Sequence, residues 1–476
     1  MRKMRNVVLE NLHVDGYAAG GKSIARHEGK VVFIDGAVPG DIVDVRLSKS
    51  KKDWAEGKAI RFSHFSADRV TPFCAHFGVC GGCKWQMLPY EKQLEYKQQE
   101  VADQMQRIGK IELPDMLPIV GSAQTRYYRN KLEFTFSSKK YYTQEEIDVL
   151  PMHADGPRGL PSIPALGFHV PGSFDKVIDI EECFLQATPT NEIRNAIRVY
   201  ALEQAISFYD IRNHTGLLRN LMVRLCTTGD LMVNVVFGDE DADTRIGLMD
   251  FIKNTFPQIS SLYYTINRKF NDSLQDQTPI LYDGQPYAIE QLGESKFRVG
   301  PKSFFQTNTK QAEKLYQITK DFADLKGTEV VYDLYCGTGS IGIFLSDQAQ
   351  KVIGVEVIDE AIADAKENVA INGIQNASFF VGDAAAVCND AFFQLHGKPD
   401  VIITDPPRAG MHENLVNQIL QMEAPIVVYV SCNPATQARD LQLLSEKYRV
   451  AAIQPVDMFP HTHHIENVVK LSLKDI

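Results

Sequence analysis

The feature that most limits what this chain can fold into is a regular alternation of short apolar runs and amphipathic stretches after about residue 301. Five apolar runs of strand length follow one another, separated by helical patterns such as residues 360–372; they cover residues 329–334, 352–357, 378–381, 401–404 and 426–430. Strands that alternate with helices form parallel sheets, because each helix crosses one face of the sheet. The pattern predicts an α/β fold with a doubly wound, Rossmann-like domain over residues 301–476.

Two further regions precede this domain. Short alternating runs broken by glycines over residues 7–62 predict a small OB-like β-barrel, which we assign to residues 1–65. Residues 66–300 predict a mixed α+β central domain, with a helix over residues 90–107 and strand-like segments over residues 128–137, 162–169, 221–237 and 259–266. Proline, glycine and charged residues over residues 139–174 favour an insertion or flexible loop.

Composition narrows the class of protein. No apolar run approaches about 18 residues, and the first residues lack the apolar segment of a signal peptide. Eight cysteines in 476 residues favour free or ligating thiols in a reducing compartment over a disulfide framework. The net charge of −10 argues against general affinity for nucleic acid, although the barrel region is locally basic. We expect a cytoplasmic protein without a membrane partner, and nothing implies an obligate protein partner.

A glycine-rich turn follows the first of the five predicted strands. Gly337-Thr-Gly-Ser-Ile-Gly342 has the G-x-G-x-x-G spacing of turns that let a backbone approach a ligand closely at a helix N-terminus. Glu356 ends the second strand, where a carboxylate can accept hydrogen bonds from a ribose diol, and Asp383 ends the third. These residues suit S-adenosylmethionine and a nicotinamide dinucleotide nearly equally well.

The end of the fourth predicted strand favours S-adenosylmethionine. Asp405-Pro-Pro-Arg408 predicts a rigid turn that holds a carboxylate and backbone carbonyls over the reactive end of the cofactor. Dehydrogenases have no common need for such a turn. We therefore expect a methyltransferase.

The fifth predicted strand ends in a thiol, Cys432, at the edge where open α/β sheets carry their chemistry. A thiolate that adds to carbon 6 of a pyrimidine makes carbon 5 electron-rich enough to accept a methyl group. Cys432 is therefore the predicted nucleophile. Because a free thiol has a pKa of about 8.5, we expect a nearby cation such as Arg408 to favour the thiolate.

After methyl transfer, the hydrogen on carbon 5 must leave as a proton, which requires a base. Glu466 is the predicted base, and His464 is the alternative. The histidines at 461, 463 and 464 do not favour zinc, because they lack the i, i+4 spacing of helical ligands. Three isolated thiols are expected to be small buried side chains: Cys226, Cys336 and Cys388.

The order of these motifs, ending in Phe459-Pro-His-Thr-His-His-Ile-Glu466, resembles the bacterial RNA uracil-5-methyltransferases. The resemblance covers nearly the whole chain, since residues 1–62 are similar to the TRAM domain of that family and residues 128–136 to a strand of its central domain. It implies that Cys432 is the nucleophile and Glu466 the general base. It also implies a pocket for the cofactor and the target base, formed by Gln306, Tyr335, Ser340, Glu356, Asp383 and Asp405. In this pocket Asp383 would face the adenine, and Ser340 occupies a position where relatives often have asparagine.

Four cysteines outside that domain form a possible ligand set: Cys74, Cys80, Cys83 and Cys183. Their spacing is compatible with either zinc or an iron–sulfur centre. The pattern is similar to the 4Fe-4S site of the branch of the family that acts on ribosomal RNA. The resemblance therefore implies a structural 4Fe-4S cluster rather than zinc.

Basic and aromatic residues alternate at residues 126–131 and 139–142, a combination that holds phosphates and stacks bases of single-stranded RNA. The second segment suits a plain surface strand almost equally well, and the lysines at 49–52 suit either a solvated turn or a phosphate contact. The resemblance implies an RNA partner, most closely 23S ribosomal RNA, in which a flipped uridine would become 5-methyluridine. The T-loop uridine of transfer RNA is the alternative substrate.

Overall fold

A computed structural model describes residues 7–149 and 162–475 of the chain. The first five strands are β1 (Val8–Tyr17), β2 (Ser23–His27), β3 (Lys30–Asp35), β4 (Ile42–Ser50) and β5 (Trp54–His64). They close into a barrel in the order β1-β2-β3-β5-β4. Alternate side chains such as Val14 and Val43 fill its interior, because successive residues of a strand face opposite sides. Lys51 and Lys52 lie in the turn between β4 and β5.

The central part of the chain forms a sheet of seven strands in the order β12-β11-β10-β9-β6-β7-β8. These strands are β6 (Lys131–Ser137), β7 (Ala165–Val170), β8 (Ser173–Asp179), β9 (Leu218–Leu225), β10 (Leu231–Phe237), β11 (Ser261–Ile266) and β12 (Ile280–Gly284). Apolar residues of two helices complete the core of this sheet. The helices of this region are α1 (Tyr90–Gln104), α2 (Gln144–Val149), α3 (Thr190–Glu203) and α4 (Ala242–Thr255). A hairpin of β13 (Ala288–Leu292) and β14 (Ser295–Val299) follows.

The C-terminal sheet also has seven strands, in the order β17-β16-β15-β18-β19-β21-β20. They are β15 (Val330–Leu334), β16 (Lys351–Glu356), β17 (Ala377–Val381), β18 (Val401–Thr404), β19 (Ile426–Ser431), β20 (Tyr448–Val456) and β21 (Glu466–Leu473). The first five are parallel, whereas β21 runs antiparallel to both β19 and β20. The strand order reverses between β15 and β18, and ligands of open α/β sheets bind in the crevice at such a point.

Helices connect these strands and cover the sheet. They are α5 (Thr309–Ala323), α6 (Ser340–Leu345), α7 (Asp359–Ile371), α8 (Ala384–Val387), α9 (Asp390–His396), α10 (Glu413–Met422) and α11 (Pro434–Leu444). The two faces of this sheet are covered by two different hydrophobic cores. Of two neighbouring residues of β15, Tyr332 packs in one core and Val331 in the other. A strand covered on both faces is apolar throughout, which is why five uninterrupted apolar runs predicted this sheet.

Two local predictions differ from the structure. The predicted helix over 90–107 is α-helical only to Gln104, and Met105–Gly109 forms a wider π-helical turn that ends at Lys110, whose φ is +49°. The predicted loop over 139–174 contains α2 and β7, because β7 finds hydrogen-bond partners in both β6 and β8; its residues 150–161 lie outside the described residues. Over the described ranges, no helix is long and apolar enough to cross a bilayer.

Candidate active site

Cys432 lies between the end of β19 and the start of α11. The side-chain oxygen of Asn433 caps the helix by accepting a hydrogen bond from the Ala435 N–H at 3.2 Å, and Pro434 occupies the first turn, where no N–H is needed. Asn433 also donates from Nδ2 to the carbonyl of Arg408 at 3.0 Å. The Cys-Asn-Pro sequence thus ends a buried strand, holds the thiol at the edge of the sheet and ties it to the proline-rich turn.

Strand pairing brings Glu466 to Cys432. Ser431 on β19 is paired with Asn467 on the antiparallel strand β21. One step further along this ladder places Cys432 and Glu466 together, and Glu466 is only 5% exposed. The predicted nucleophile and the predicted base therefore lie at one place, although β21 was not among the strands that the apolar runs predicted.

The Cys432 thiol is protonated at neutral pH. Burial raises its pKa to about 11, and the carboxyls of Glu466 and Asp405 act in the same direction. A hydrogen bond and the positive charge of Arg408 lower this pKa, but the Arg408 side chain is exposed, so water screens it. Arg408 is the expected nearby cation, but the net shift is upward, opposite to the expectation from the sequence.

Acidic side chains crowd the same edge. Burial raises the pKa of Glu466, and the neighbouring Asp405 adds to the shift; burial also raises the pKa of Asp405. Asp333, fully buried, accepts a hydrogen bond from the Gly342 N–H at 2.9 Å, and burial raises its pKa to about 7. Carboxyls in a poorly solvated site resist ionising together, and a cationic group bound among them would favour their charged forms.

A cavity of about 170 Å³ lies at the carboxyl ends of β15, β16 and β17; its walls include Tyr335, Glu356, Asp383, His412 and Leu415. The Glu356 carboxylate accepts hydrogen bonds from the N–H groups of Gly337 at 3.3 Å and Val357 at 2.7 Å, which fix it beside the glycine turn. Tyr335 has a φ of +61°, so the chain turns sharply where it leaves β15. Three predicted cofactor residues therefore share one cavity.

The other predicted cofactor residues, Gln306, Ser340 and Asp405, are not among the residues that line this cavity. Gln306 is 9% exposed, and its carbonyl accepts a hydrogen bond from Asn130 Nδ2 at 2.9 Å. The hydroxyl of Ser340 lies 2.8 Å from that of Tyr316 on α5. Asp405 belongs to the end of the site that holds Cys432 and Glu466.

Comparisons with known proteins decide the family. Residues 291–474 match the family model of tRNA (uracil-5-)-methyltransferases, and residues 9–60 match that of the TRAM domain. An uncharacterized RNA methyltransferase of Bacteroides thetaiotaomicron is 52% identical over 462 residues, which cover 96% of this chain and 100% of that protein. The chain belongs to the RNA uracil-5-methyltransferase family. A second uncharacterized RNA methyltransferase, from Porphyromonas gingivalis, is 49% identical over 464 residues, covering 97% of this chain and 99% of that protein.

A solved structure of this uracil-5-methyltransferase family extends the likeness to the fold. The Pyrococcus abyssi tRNA (uracil-54, C5)-methyltransferase in complex with S-adenosyl-L-homocysteine is similar to this chain with a TM-score of 0.73 and 27% identity. The likeness covers 97% of this chain and 100% of the archaeal one. The predicted family and fold class, with the N-terminal barrel and the C-terminal doubly wound domain, are confirmed.

The three histidines just before Glu466 in this uracil-5-methyltransferase have lowered pKa values. Arg408 Nη2 lies 2.9 Å from His464 Nδ1, and burial lowers the pKa of His464 to about 3. Burial also lowers the pKa values of His461 and His463 to about 4. A base with so low a pKa accepts protons poorly, so the geometry and charge favour Glu466 over His464.

The four predicted ligand cysteines lie close to one another. Burial raises the pKa of Cys80 to about 12, and the other three, Cys83, Cys183 and Cys74, add to the shift. Burial likewise raises the pKa of Cys83 to about 12, and Cys183 and Cys74 act in the same direction. No group of three or more His, Cys, Asp or Glu side chains in the part of the chain that the structure describes is arranged to hold a metal ion. The isolated thiols Cys226, Cys336 and Cys388 are buried, as predicted.

The residues that hold the loop before Glu466 were not predicted from the sequence. Lys97 on α1 donates to Asp457 at 2.6 Å, and both side chains are fully buried. Gln93, also on α1, contacts His461 through both ends of its amide. In the sequence, Gln93 and Lys97 are polar residues at inward-facing positions of a predicted amphipathic helix. That pattern does not identify Asp457 and His461 as their partners, because these lie 360 and 368 residues further along the chain.

Proposed function

We propose that this protein methylates carbon 5 of a uridine in RNA, through a transient covalent bond between Cys432 and carbon 6 of the base. The observation that carries the proposal is the pairing of β19 with β21, which sets Cys432 beside Glu466 at the cofactor edge of the sheet. The family supports the reaction class. As an RNA-modifying enzyme, the protein would work in the cytoplasm.

The cofactor proposed for this site is S-adenosylmethionine. The Glu356 carboxylate would accept hydrogen bonds from the ribose, and Asp383 would face the adenine, because both line the cavity at the ends of β16 and β17. Gln306, Tyr335, Ser340 and Asp405 would complete the pocket toward the target base. When bound, S-adenosylmethionine supplies an electrophilic methyl group on a positively charged sulfur, and the crowded carboxyls suit that charge. The Pyrococcus abyssi relative, in complex with S-adenosyl-L-homocysteine, supports this assignment.

Cys432 begins the reaction after its thiol passes its proton to water. Arg408 stabilises the thiolate through its hydrogen bond and its charge. The thiolate then adds to carbon 6, and the electrons of the C5–C6 double bond pass toward the carbonyl at carbon 4, which leaves an enolate that is nucleophilic at carbon 5. Carbon 5 takes the methyl group and keeps its hydrogen, so the base is saturated and bonded to the enzyme.

Glu466 completes the reaction as the general base. Its carboxylate takes the proton from carbon 5, the electrons of that C–H bond restore the C5–C6 double bond, and the C6–S bond breaks with its electrons returning to Cys432. Burial raises the pKa of Glu466, and a carboxylate with a raised pKa is a stronger base once ionised. The proton on Glu466 returns Cys432 to the free thiol, and the products are 5-methyluridine, S-adenosylhomocysteine and the proton that Cys432 released at the start.

We further propose that Cys74, Cys80, Cys83 and Cys183 hold a 4Fe-4S cluster with a structural role. One zinc ion gathers its sulfur ligands to about 2.3 Å from a single point, whereas a cubane cluster lies between thiols that are further apart. The four thiols are close enough to raise the pKa of Cys80, and the choice of the cluster over zinc rests on the cysteine pattern. The cluster would tie the loop of the first three cysteines to the start of α3.

The proposed substrate is 23S ribosomal RNA, on the strength of the cysteine pattern. Arg126 and Tyr127 would contact the RNA: Tyr127 is 41% exposed, and the Arg126 guanidinium lies 3.8 Å from the centre of the Phe73 ring. At the second basic segment, Lys139 and Lys140 already pair with acids, which leaves less charge for phosphates. Transfer RNA is the second candidate, favoured by the likeness to the tRNA methyltransferase of Pyrococcus abyssi.

Replacing the thiol tests the reaction. Cys432→Ala should lower transfer of a radiolabelled methyl group to RNA by roughly 10³-fold or more, because no other group can form the adduct. Binding of S-adenosylmethionine, measured by calorimetry, should stay nearly unchanged. Cys226→Ala is the matched control, since that thiol is buried away from the site and should leave turnover intact. A Cys432→Ala enzyme that still methylates RNA would contradict the proposal.

Mapping the product tests the substrate. Deleting the gene should remove 5-methyluridine from one or more positions of 23S ribosomal RNA, measured by mass spectrometry of the separated RNA classes, while transfer RNA keeps its 5-methyluridine. Loss from the T-loop of transfer RNA instead would make transfer RNA the substrate and contradict the ribosomal assignment.

A further inference from the structure

The loop 457–465, which we call the base loop, connects β20 to β21 and ends directly at Glu466. Its backbone is held mostly by groups from earlier parts of the chain. The Tyr128 hydroxyl donates to the Pro460 carbonyl at 3.0 Å, and the N–H groups of Lys84 and Trp85 both donate to the His461 carbonyl, at 2.8 and 3.0 Å. His461 itself has a φ of +63°, a conformation that a residue with a side chain adopts only when its surroundings impose it.

Helix α1 supplies the charged part of this support. Lys97 Nζ donates to Asp457 Oδ1 at 2.6 Å and to the Phe459 carbonyl at 3.2 Å. The Tyr90 hydroxyl donates to the other Asp457 oxygen at 2.7 Å. Burial lowers the pKa of Lys97, and Asp457 opposes that shift. A buried ion pair is weak evidence for stability, but it fixes one geometry, because each charge is costly without its partner.

Gln93, one turn before Lys97 on the buried face of α1, holds the other half of the base loop. Gln93 Oε1 accepts a hydrogen bond from the His461 N–H at 2.8 Å, and Gln93 Nε2 lies 3.1 Å from His461 Nδ1. Beyond His461, His464 contacts Arg408, which in turn contacts Cys432. Helix α1 therefore reaches Glu466 through the base loop, from a part of the chain that carries no reacting group, and its Val101 also packs in one core with Ala438 of α11.

We propose that the Lys97–Asp457 ion pair, with Tyr90, is a positioning device for the general base: it sets the base loop so that Glu466 reaches the proton on carbon 5. The proposal rests on the proposed function. It assigns Lys97 no contact with substrate, and it predicts a defect in the second half of the reaction. Formation of the Cys432 adduct needs Cys432 and the cofactor pocket, whereas release of the adduct needs Glu466 in place.

The timing of the defect separates positioning from a merely structural role. The test variant is the neutral pair Lys97→Met with Asp457→Asn, in the full chain with RNA substrate and S-adenosylmethionine. Adduct formation, followed by rapid quenching and denaturing gels, should stay within about threefold of the unaltered enzyme. Adduct release should slow by about tenfold or more, within the range that general-base catalysis supplies, so that a denaturation-resistant complex builds up during turnover. Lys92→Met is the matched control, since Lys92 lies on α1 but pairs with Glu95 and Asp68 instead of the base loop.

The proposal would be overturned if the rates of adduct formation and adduct release fell by the same factor, or if neither rate changed. Should the double variant fail to fold, Tyr90→Phe decides, because it removes a single hydroxyl, which donates to Asp457 and accepts from the Ser122 N–H; folded Tyr90→Phe enzyme without adduct build-up would overturn the proposal equally. Glu466→Gln is the reference. If Glu466→Gln accumulates adduct and the helix variants do not, this inference fails alone, whereas absence of adduct in Glu466→Gln is a failure of the proposed function.

Discussion

Ser431 is paired with Asn467 across β19 and β21, and this register sets Cys432 and Glu466 side by side at the end of the ladder. A slip of one residue would turn every side chain of β21 to the opposite face of the sheet. The register is secured from both sides, since β21 also pairs along its length with β20. The sheet therefore brings the proposed nucleophile and base together, and the base loop, which ends directly at Glu466, completes the position of the base.

The reactivity of Cys432 should depend on pH in a defined direction. Because burial, Glu466 and Asp405 raise its pKa to about 11, the thiolate fraction should rise about tenfold per pH unit between pH 7 and 9. Alkylation of the Cys432 peptide by iodoacetamide, measured by mass spectrometry, should follow that slope. Glu466→Gln removes a negative neighbour and should lower the pKa, so that alkylation at pH 8 becomes faster. Alkylation that is already maximal at pH 7 would contradict this account of the site.

Binding of S-adenosylmethionine should strengthen as pH rises. Burial raises the pKa values of Asp333, to about 7, and of Asp405, so these carboxyls become charged on going from pH 6 to pH 8 and then attract the positive sulfur. We expect the affinity to increase by roughly tenfold over this interval, about one pKa unit of interaction. S-adenosylhomocysteine has an uncharged sulfur and is the matched control. If the affinities of both ligands depended equally on pH, the dependence would not come from attraction between these carboxyls and the positive sulfur.

The cysteine set should bind iron. Protein purified without oxygen is expected to be brown and to contain iron and sulfide in the proportion of a cubane cluster, and Cys83→Ser should lose both. Cys388→Ser, a change at an isolated buried thiol, should retain them. Colourless protein that contains zinc would show that the four thiols hold zinc instead.

Much of the fold could be predicted because apolar strands covered on both faces leave an unmistakable pattern. The predicted strand over 401–404 matches β18, and the other four predicted strands of this sheet end within a residue of those observed. Strand β21 was missed because Glu466, Asn467 and Lys470 interrupt its apolar residues, although it lies inside the sheet between β19 and β20. The thiol, the glycine turn and the acids Glu356, Asp383 and Asp405 were found because each ends or follows a predicted strand, whereas Glu466 was found from the segment 459–466.

The pKa of Cys432 and the support of the base loop could not be predicted from the sequence. The first depends on how deeply the thiol is buried and on which acids surround it, and Arg408 alone suggested the opposite direction. The second depends on Lys97 and Asp457, which meet only in the folded chain. Net charges and local patterns contain no information about such distant pairs.

The central claim is that Cys432 bonds to carbon 6 of a uridine and that Glu466 is needed to release it. Its most direct test is mass spectrometry of Glu466→Gln enzyme after reaction with unmodified RNA and S-adenosylmethionine, followed by digestion with protease and ribonuclease. We expect a peptide containing Cys432 joined to a uridine that already carries the added methyl group. Free RNA bearing 5-methyluridine, with no nucleotide bound to the Cys432 peptide, would contradict it.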